Sequence, residues 1–316
     1  DGTFLDGTKI EANYHSMGIV VGIATLLLAL YCVRATYKHA VTGPMRSAPS
    51  SAGGSGPFLK SFLHDLKDVY SDKLVWYVFG FFGLAKFSMM VVSQVQMFTY
   101  IEYMGFTAAQ KTFVHTGGMV AFGLGSLALG SMVRRFDKKK TGIMAMAFAS
   151  AGGLGLYAVF IGGLLDPRAS INGFPVAVPV FAALQMMWWG GCGVLVPLAI
   201  AMIADLSEMK KWQTGEVTEG RYAAGVSFFL KAANALGLFV TGFVLKFVGY
   251  VSGAHSQASD TVHKLAVMTF IAGPILMACA FVMIRYYPVT HESMSSMRKR
   301  YERKSAAEEH AAWQGT

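Results

Sequence analysis

Charge is scarce in this chain. Asp, Glu, Lys and Arg make up 14% of its residues, against 54% hydrophobic ones, where a soluble domain carries about 25% charged residues. Cysteine is limited to 3 positions. Cys32, Cys192 and Cys279 all fall in apolar stretches without paired or metal-ligand spacing, which argues against a disulfide framework or a zinc module and gives no metal site. No Asp or Glu interrupts any of the long apolar runs. HExxH, paired carboxylates within a run and a Ser-His-Asp set are likewise missing, so an enzyme reading lacks its acids and bases. The stretch Gly215 to Arg221 (GEVTEGR) approaches a phosphate-binding loop but has no Lys-Ser/Thr end and no preceding strand, which removes nucleotide binding.

What the chain has instead is length in its apolar runs. A membrane-crossing helix needs roughly 20 mostly apolar residues. Seven stretches qualify: Tyr14 to Val33, Leu74 to Phe98, Thr112 to Val133, Gly142 to Leu165, Val178 to Ile203, Ala223 to Phe247 and Leu265 to Ile284. An all-α membrane protein of seven transmembrane helices is expected. The net charge of +9 raises nucleic acid as a partner, but the Lys and Arg sit in alternate connections. They cluster at Arg34 to Lys73, Arg134 to Lys140, Lys210 to Arg221 and Arg285 to Lys304, with Lys9, Lys111, Arg168 and Lys264 opposite. Basic loops stay cytoplasmic, so the excess reads as topology: N-terminus outside, C-terminus inside, no nucleic acid. The chain opens on Asp1 with no signal peptide, and a start in mid-protein is expected.

The organisation is one helix, then six. Residues 1–35 read as the last helix of an N-terminal bundle and 36–73 as a cytoplasmic linker. The run Ser47 to Pro57 has flexible composition, and Phe58 to Asp72 has the periodicity of an interfacial helix or of a helix packed on a neighbouring loop. Residues 74–290 read as a six-helix bundle and 291–316 as a basic tail.

Two runs carry a lysine deep inside, Lys86 and Lys231. Lys231 is about eight residues, or ~12 Å at 1.5 Å per residue, from the cytoplasmic end of its run, and Lys86 about twelve residues, or ~18 Å. A cation in hydrocarbon is expensive unless it faces a partner or a wet cavity. Ser227, Lys231, Asn234 and Thr241 fall on one stripe at about 100° per residue, and Ser93, Gln96 and Tyr100 follow Lys86 along one side. Gln185, Trp188, Trp189 and Cys192 share a face, where aromatic rings beside an amide could hold a sugar.

Further residues carry a family resemblance. Asp205 and Glu208, then Thr214-Gly215, Glu219-Gly220, Lys231 and Gly249-Tyr250, with Tyr287-Pro288-Val289-Thr290 before the tail, form a string similar to that of the glycoside-pentoside-hexuronide:cation symporter family, the melibiose-permease-like branch of the major facilitator superfamily. The resemblance implies a chain equivalent to helices 6 to 12 of a twelve-helix carrier in a bacterial inner membrane. It implies sugar or related polar solute transport by alternating access, coupled to Na+ or H+ bound mainly by the N-terminal half, with no other cofactor. Lys231, Ser227, Asn234, Lys86, Gln96, Trp188 and Trp189 are the expected substrate-facing residues. Asp205, Glu208, Thr214, Gly215, Glu219 and Gly220 are the expected cytoplasmic loop motif. Val217 replaces the Arg common in that motif, and Val196 stands where the family has its sugar-facing aromatic. Rival readings are a lipid or lysolipid carrier of the same superfamily and a non-transporting membrane scaffold.

Overall fold

The computed structural model describes residues 11–42, 58–171, 173–215, 219–251, 256–289, 292–301 and 303. They fall into two units, 1–56 and 57–316. The first is a single helix, α1 (Glu11–Thr42), whose apolar stretch His15–Tyr37 is long enough to span and is exposed throughout. The linker run Ser47 to Pro57 lies outside the described residues.

The second unit is a helical bundle of α2 (Phe58–Ser71), α3 (Lys73–Phe98), α4 (Ala108–Leu156), α5 (Ala177–Thr214), α6 (Glu219–Phe247) and α7 (Ser259–Arg285). A two-stranded ribbon, β1 (Ser170–Ile171) with β2 (Phe174–Pro175), lies between α4 and α5. Together with α1, six described helices are long and apolar enough to cross a membrane. Local chemistry sets several of their ends. Asp72 caps α3 by accepting from the Leu74 N–H at 2.9 Å. Thr107 and Gln110 form a reciprocal capping box at the start of α4. α5 ends where Gly215 turns left-handed at φ 75° and its N–H bonds the Lys211 carbonyl at 2.8 Å.

The two expected runs 112–133 and 142–165 appear as one element, α4, but it is not straight. Asp137 adopts φ 69° and ψ 159° in its interior, a backbone region that favours glycine, and its carboxylate accepts from the next N–H at 2.6 Å. The contacts with α5 show the consequence. Before the break, Gly117 meets Met186, Gly118 meets Trp189 and the Ser126 hydroxyl donates to the Gly193 carbonyl at 2.8 Å, so this half runs parallel to α5. After it, Ala145 and Ala149 lie against Gly191, and Gly152 and Gly155 against Leu184, so this half runs antiparallel. The element is a helical hairpin folded at Asp137, with both arms on α5.

α3 pairs with α7 in the antiparallel sense, Gly80 against Met283 and Ser88 against Gly273. It pairs with α6 in the parallel sense. Phe79 stacks on Phe229 with ring centroids 4.9 Å apart, Met90 packs on Gly237, and Phe98 meets Tyr250 edge-on at 4.9 Å. The main core runs from Val75 and Phe79 through Ala145, Leu195, Leu198 and Met202 to Met277 and Ile284. α2 packs against α6: Leu66 and Val69 are buried, Val69 faces Gly225, and the Tyr70 hydroxyl donates to the Gly225 carbonyl at 3.3 Å. Burial pushes the Tyr70 phenol above its ordinary pKa.

One boundary differs in kind from expectation. α5 continues eleven residues beyond Ile203 to Thr214, so Asp205, Glu208 and Thr214 ride on a helix, while Glu219 and Gly220 open α6. The apolar run marks where a helix leaves hydrocarbon, whereas Lys210 and Lys211 near its end suit a solvated final turn.

Candidate functional site

The parallel α3–α6 pair fixes the height of the two deep lysines. Lys86 lies three residues beyond Gly83, which faces Phe229, and Lys231 lies two beyond Phe229. With Met90 against Gly237 as a second anchor, they occupy nearly the same level of two neighbouring helices, within about one helical turn along the axis. Lys231 is exposed and Lys86 half-buried. Among the described residues neither has an acidic partner.

α6 is unusual in this bundle because only 11% of its apolar window is buried. Ser227 is exposed, its hydroxyl folded back onto the Ala223 carbonyl at 2.9 Å, and Asn234 is half-buried. Thr241 departs from the expected stripe. It is buried and bonds the Gly237 carbonyl at 2.8 Å, because ten residues from Lys231 carry it about 80° around the helix and into the bundle.

Gln96, Trp188 and Trp189 are not open surfaces. Gln96 is 5% exposed and accepts from Gln185 at 3.4 Å, while Gln185 also bonds the Tyr100 hydroxyl. The Trp188 ring is packed against Gly273 and the Trp189 ring against Gly118, while Gly152 meets the Trp188 backbone. Both indoles are buried, which leaves no open ring face for a stacked sugar. Thr99 and Thr269 join this polar layer, 2.6 Å apart. Sequence reasoning missed that pair: single threonines in apolar runs carry no periodic signal, and the two lie on helices far apart in the chain.

At the other end of α5, Asp205 pairs with Lys138 at 2.6 Å, and Lys138 also donates to the Ala201 carbonyl at 3.1 Å. Lys139 donates to the Tyr287 carbonyl at 3.1 Å. Burial, then the Asp205 and Asp137 charges, push the Tyr287 phenol far above its ordinary range. Asp137, Glu208, Trp212 and Arg298 complete a cleft of 340 Å³. A second cleft of 500 Å³ lies where α2 and the start of α3 meet α5 and α6. There Tyr222 donates to Asp72 at 2.8 Å and Arg221 stands 3.9 Å from Asp68.

A largely uncovered helix, α6, carrying an exposed lysine beside the half-buried Lys86 of the well-packed α3, with compact charge clusters at one end, suits a bundle that works against another surface. Residues 3–291 match the family model described as MFS/sugar transport protein. The chain belongs to that family. Among its relatives, the Escherichia coli "Putative 2,3-dihydroxypropane-1-sulfonate exporter" is 28% identical over 61% of this chain and 36% of its own length. The E. coli "Putative sulfoquinovose importer" is 23% identical over 98% of this chain and 61% of its own length. The E. coli inner membrane symporter YicJ is 22% identical over 91% and 58%. The MFS/sugar transport chain thus spans between about a third and three fifths of these curated relatives.

Proposed function

We propose that this chain is part of a cation-coupled symporter for a sugar or related polar organic solute, working by alternating access. The α4 hairpin supports counting seven crossings, equivalent to helices 6 to 12 of a twelve-helix carrier. The remaining length of the relatives would supply the other half of the cavity and the acids that Lys86 and Lys231 lack here. Na+ or H+ would bind mainly in that half.

The observation that carries the reading is Lys231, exposed on a largely uncovered apolar helix without an acid beside it among the described residues. Such a cation is sustainable only beside water, a solute or a counter-charge. Lys86 at nearly the same level makes the cavity wall doubly positive. The first two relatives are named for hydroxylated organic sulfonates, and a solute with both hydroxyls and a negative group would satisfy both lysines. Lys231, Lys86, Ser227 and Asn234 form the proposed contact set, with Gln96, Gln185 and Tyr100 holding α3 and α5 behind it.

The test is counterflow and gradient-driven uptake by the full-length carrier in proteoliposomes, against sugars, glycosides, uronates and sulfonated sugars, with and without Na+ or pH gradients. Lys231→Ala is expected to abolish coupled uptake with insertion intact, and normal uptake by that variant removes the assignment.

A further inference from the structure

The arms of the α4 hairpin and α5 enclose a second feature unrelated to the lysine face, an apolar groove of 780 Å³. Its floor is made of small residues, including Gly125, Gly190 and Gly191, and Leu124, Met144 and Phe148 stand exposed along it. We infer that this groove seats one acyl chain of an anionic phospholipid whose headgroup is held by Arg135 and Lys140.

Length and charge identify the occupant. On the first arm the lining runs from Ala121 to Met132, about 16 Å at 1.5 Å per residue, which matches one leaflet of a hydrocarbon core ~30 Å thick. Met132 and Met144 end the groove toward the Asp137 break. Arg135 is three residues beyond Met132 and Lys140 four before Met144, so helical periodicity puts each on the face of its groove residue, one turn farther out. Both are exposed, and neither has an acidic partner among the described residues. Their neighbours are already used within the fold, Lys138 by Asp205 and Lys139 by the Tyr287 carbonyl. The Arg135 guanidinium carbon lies 5.3 Å from the Phe136 ring centroid, a contact that leaves its charge without an acid. An apolar slot one leaflet long, ending in two cations without an acid beside them among the described residues, is complementary to a lipid carrying a phosphate. A second copy of this chain would have to cover the same two cations with a matching acidic patch, and the connections on this side are basic.

The test is native mass spectrometry of the full-length purified carrier titrated with phosphatidylglycerol or phosphatidylcholine of identical chains. Wild type is expected to retain phosphatidylglycerol at least tenfold better. The surface variant Arg135→Gln/Lys140→Gln is expected to lose that preference while keeping its fold, since each basic group strengthens attraction to an anionic lipid about fivefold. Filling the groove with Ala147→Phe/Ala183→Phe, both exposed positions, is expected to lower retention of both lipids. Equal retention of the two lipids by wild type, an unchanged preference in the glutamine variant, or a lipid-independent dimer closed over the groove each overturns the inference.

Discussion

At the scale of single residues, the bundle separates groups whose loss should hurt from groups whose loss should not. Tyr287 is buried, yet its hydroxyl has no hydrogen-bond partner among the described residues. A buried unsatisfied hydroxyl costs about 1–3 kcal/mol. Tyr287→Phe should therefore leave the melting temperature of the purified protein unchanged or raise it, and a fall of several degrees would show an unseen partner. Lys138 behaves oppositely. Removing it leaves Asp205, with 18% of its side chain exposed, without its cation, so Lys138→Ala should destabilise by about 1–3 kcal/mol. The swap Lys138→Asp/Asp205→Lys should recover part of this. A double variant no better than the single would mean that the Ala201 carbonyl contact matters more than the pair.

At the scale of elements, glycine decides how close helices come. A Cβ on Gly193 would run into the Phe122 carbonyl, a backbone atom that cannot swing away, whereas a Cβ on Gly123 meets nothing within 4 Å. Gly193→Ala should separate the first arm of α4 from α5, at about 1–3 kcal/mol or more. Gly123→Ala should be silent, and fluorescence-detected size exclusion after a heat step distinguishes them. The positions of these helices were legible in the sequence because length and hydropathy report hydrocarbon directly. Their interiors were less so. Trp188 and Trp189 beside Gln185 have the composition of a sugar platform, and only the opposing glycines of α4 and α7 show that the rings are packing. Thr241 left its expected stripe for the same reason: periodicity gives an angle, while the neighbouring helix decides whether that angle is inside. The continuation of α5 through Asp205 and Glu208 was hidden because a solvated helix and a solvated loop share polar composition.

At the scale of the whole molecule, the bundle has a well-packed side, where α3, α5 and α7 interlock around the core, and an underused side at α6. Sequence alone singled out Lys231 and Lys86 through the energetics of depth, and the parallel α3–α6 register adds that they stand at nearly one level. On the proposed reading, the open face of α6 and the two lysines work against water, solute or a protein partner there. Position 231 can be probed for it directly. In the full-length carrier with Cys32 and Cys279, both exposed, replaced by serine, Lys231→Cys should react with a membrane-impermeant thiol reagent, and the solute identified by transport should protect it. A cysteine at 231 that reacts only with lipid-soluble reagents would place this face against hydrocarbon and contradict the account.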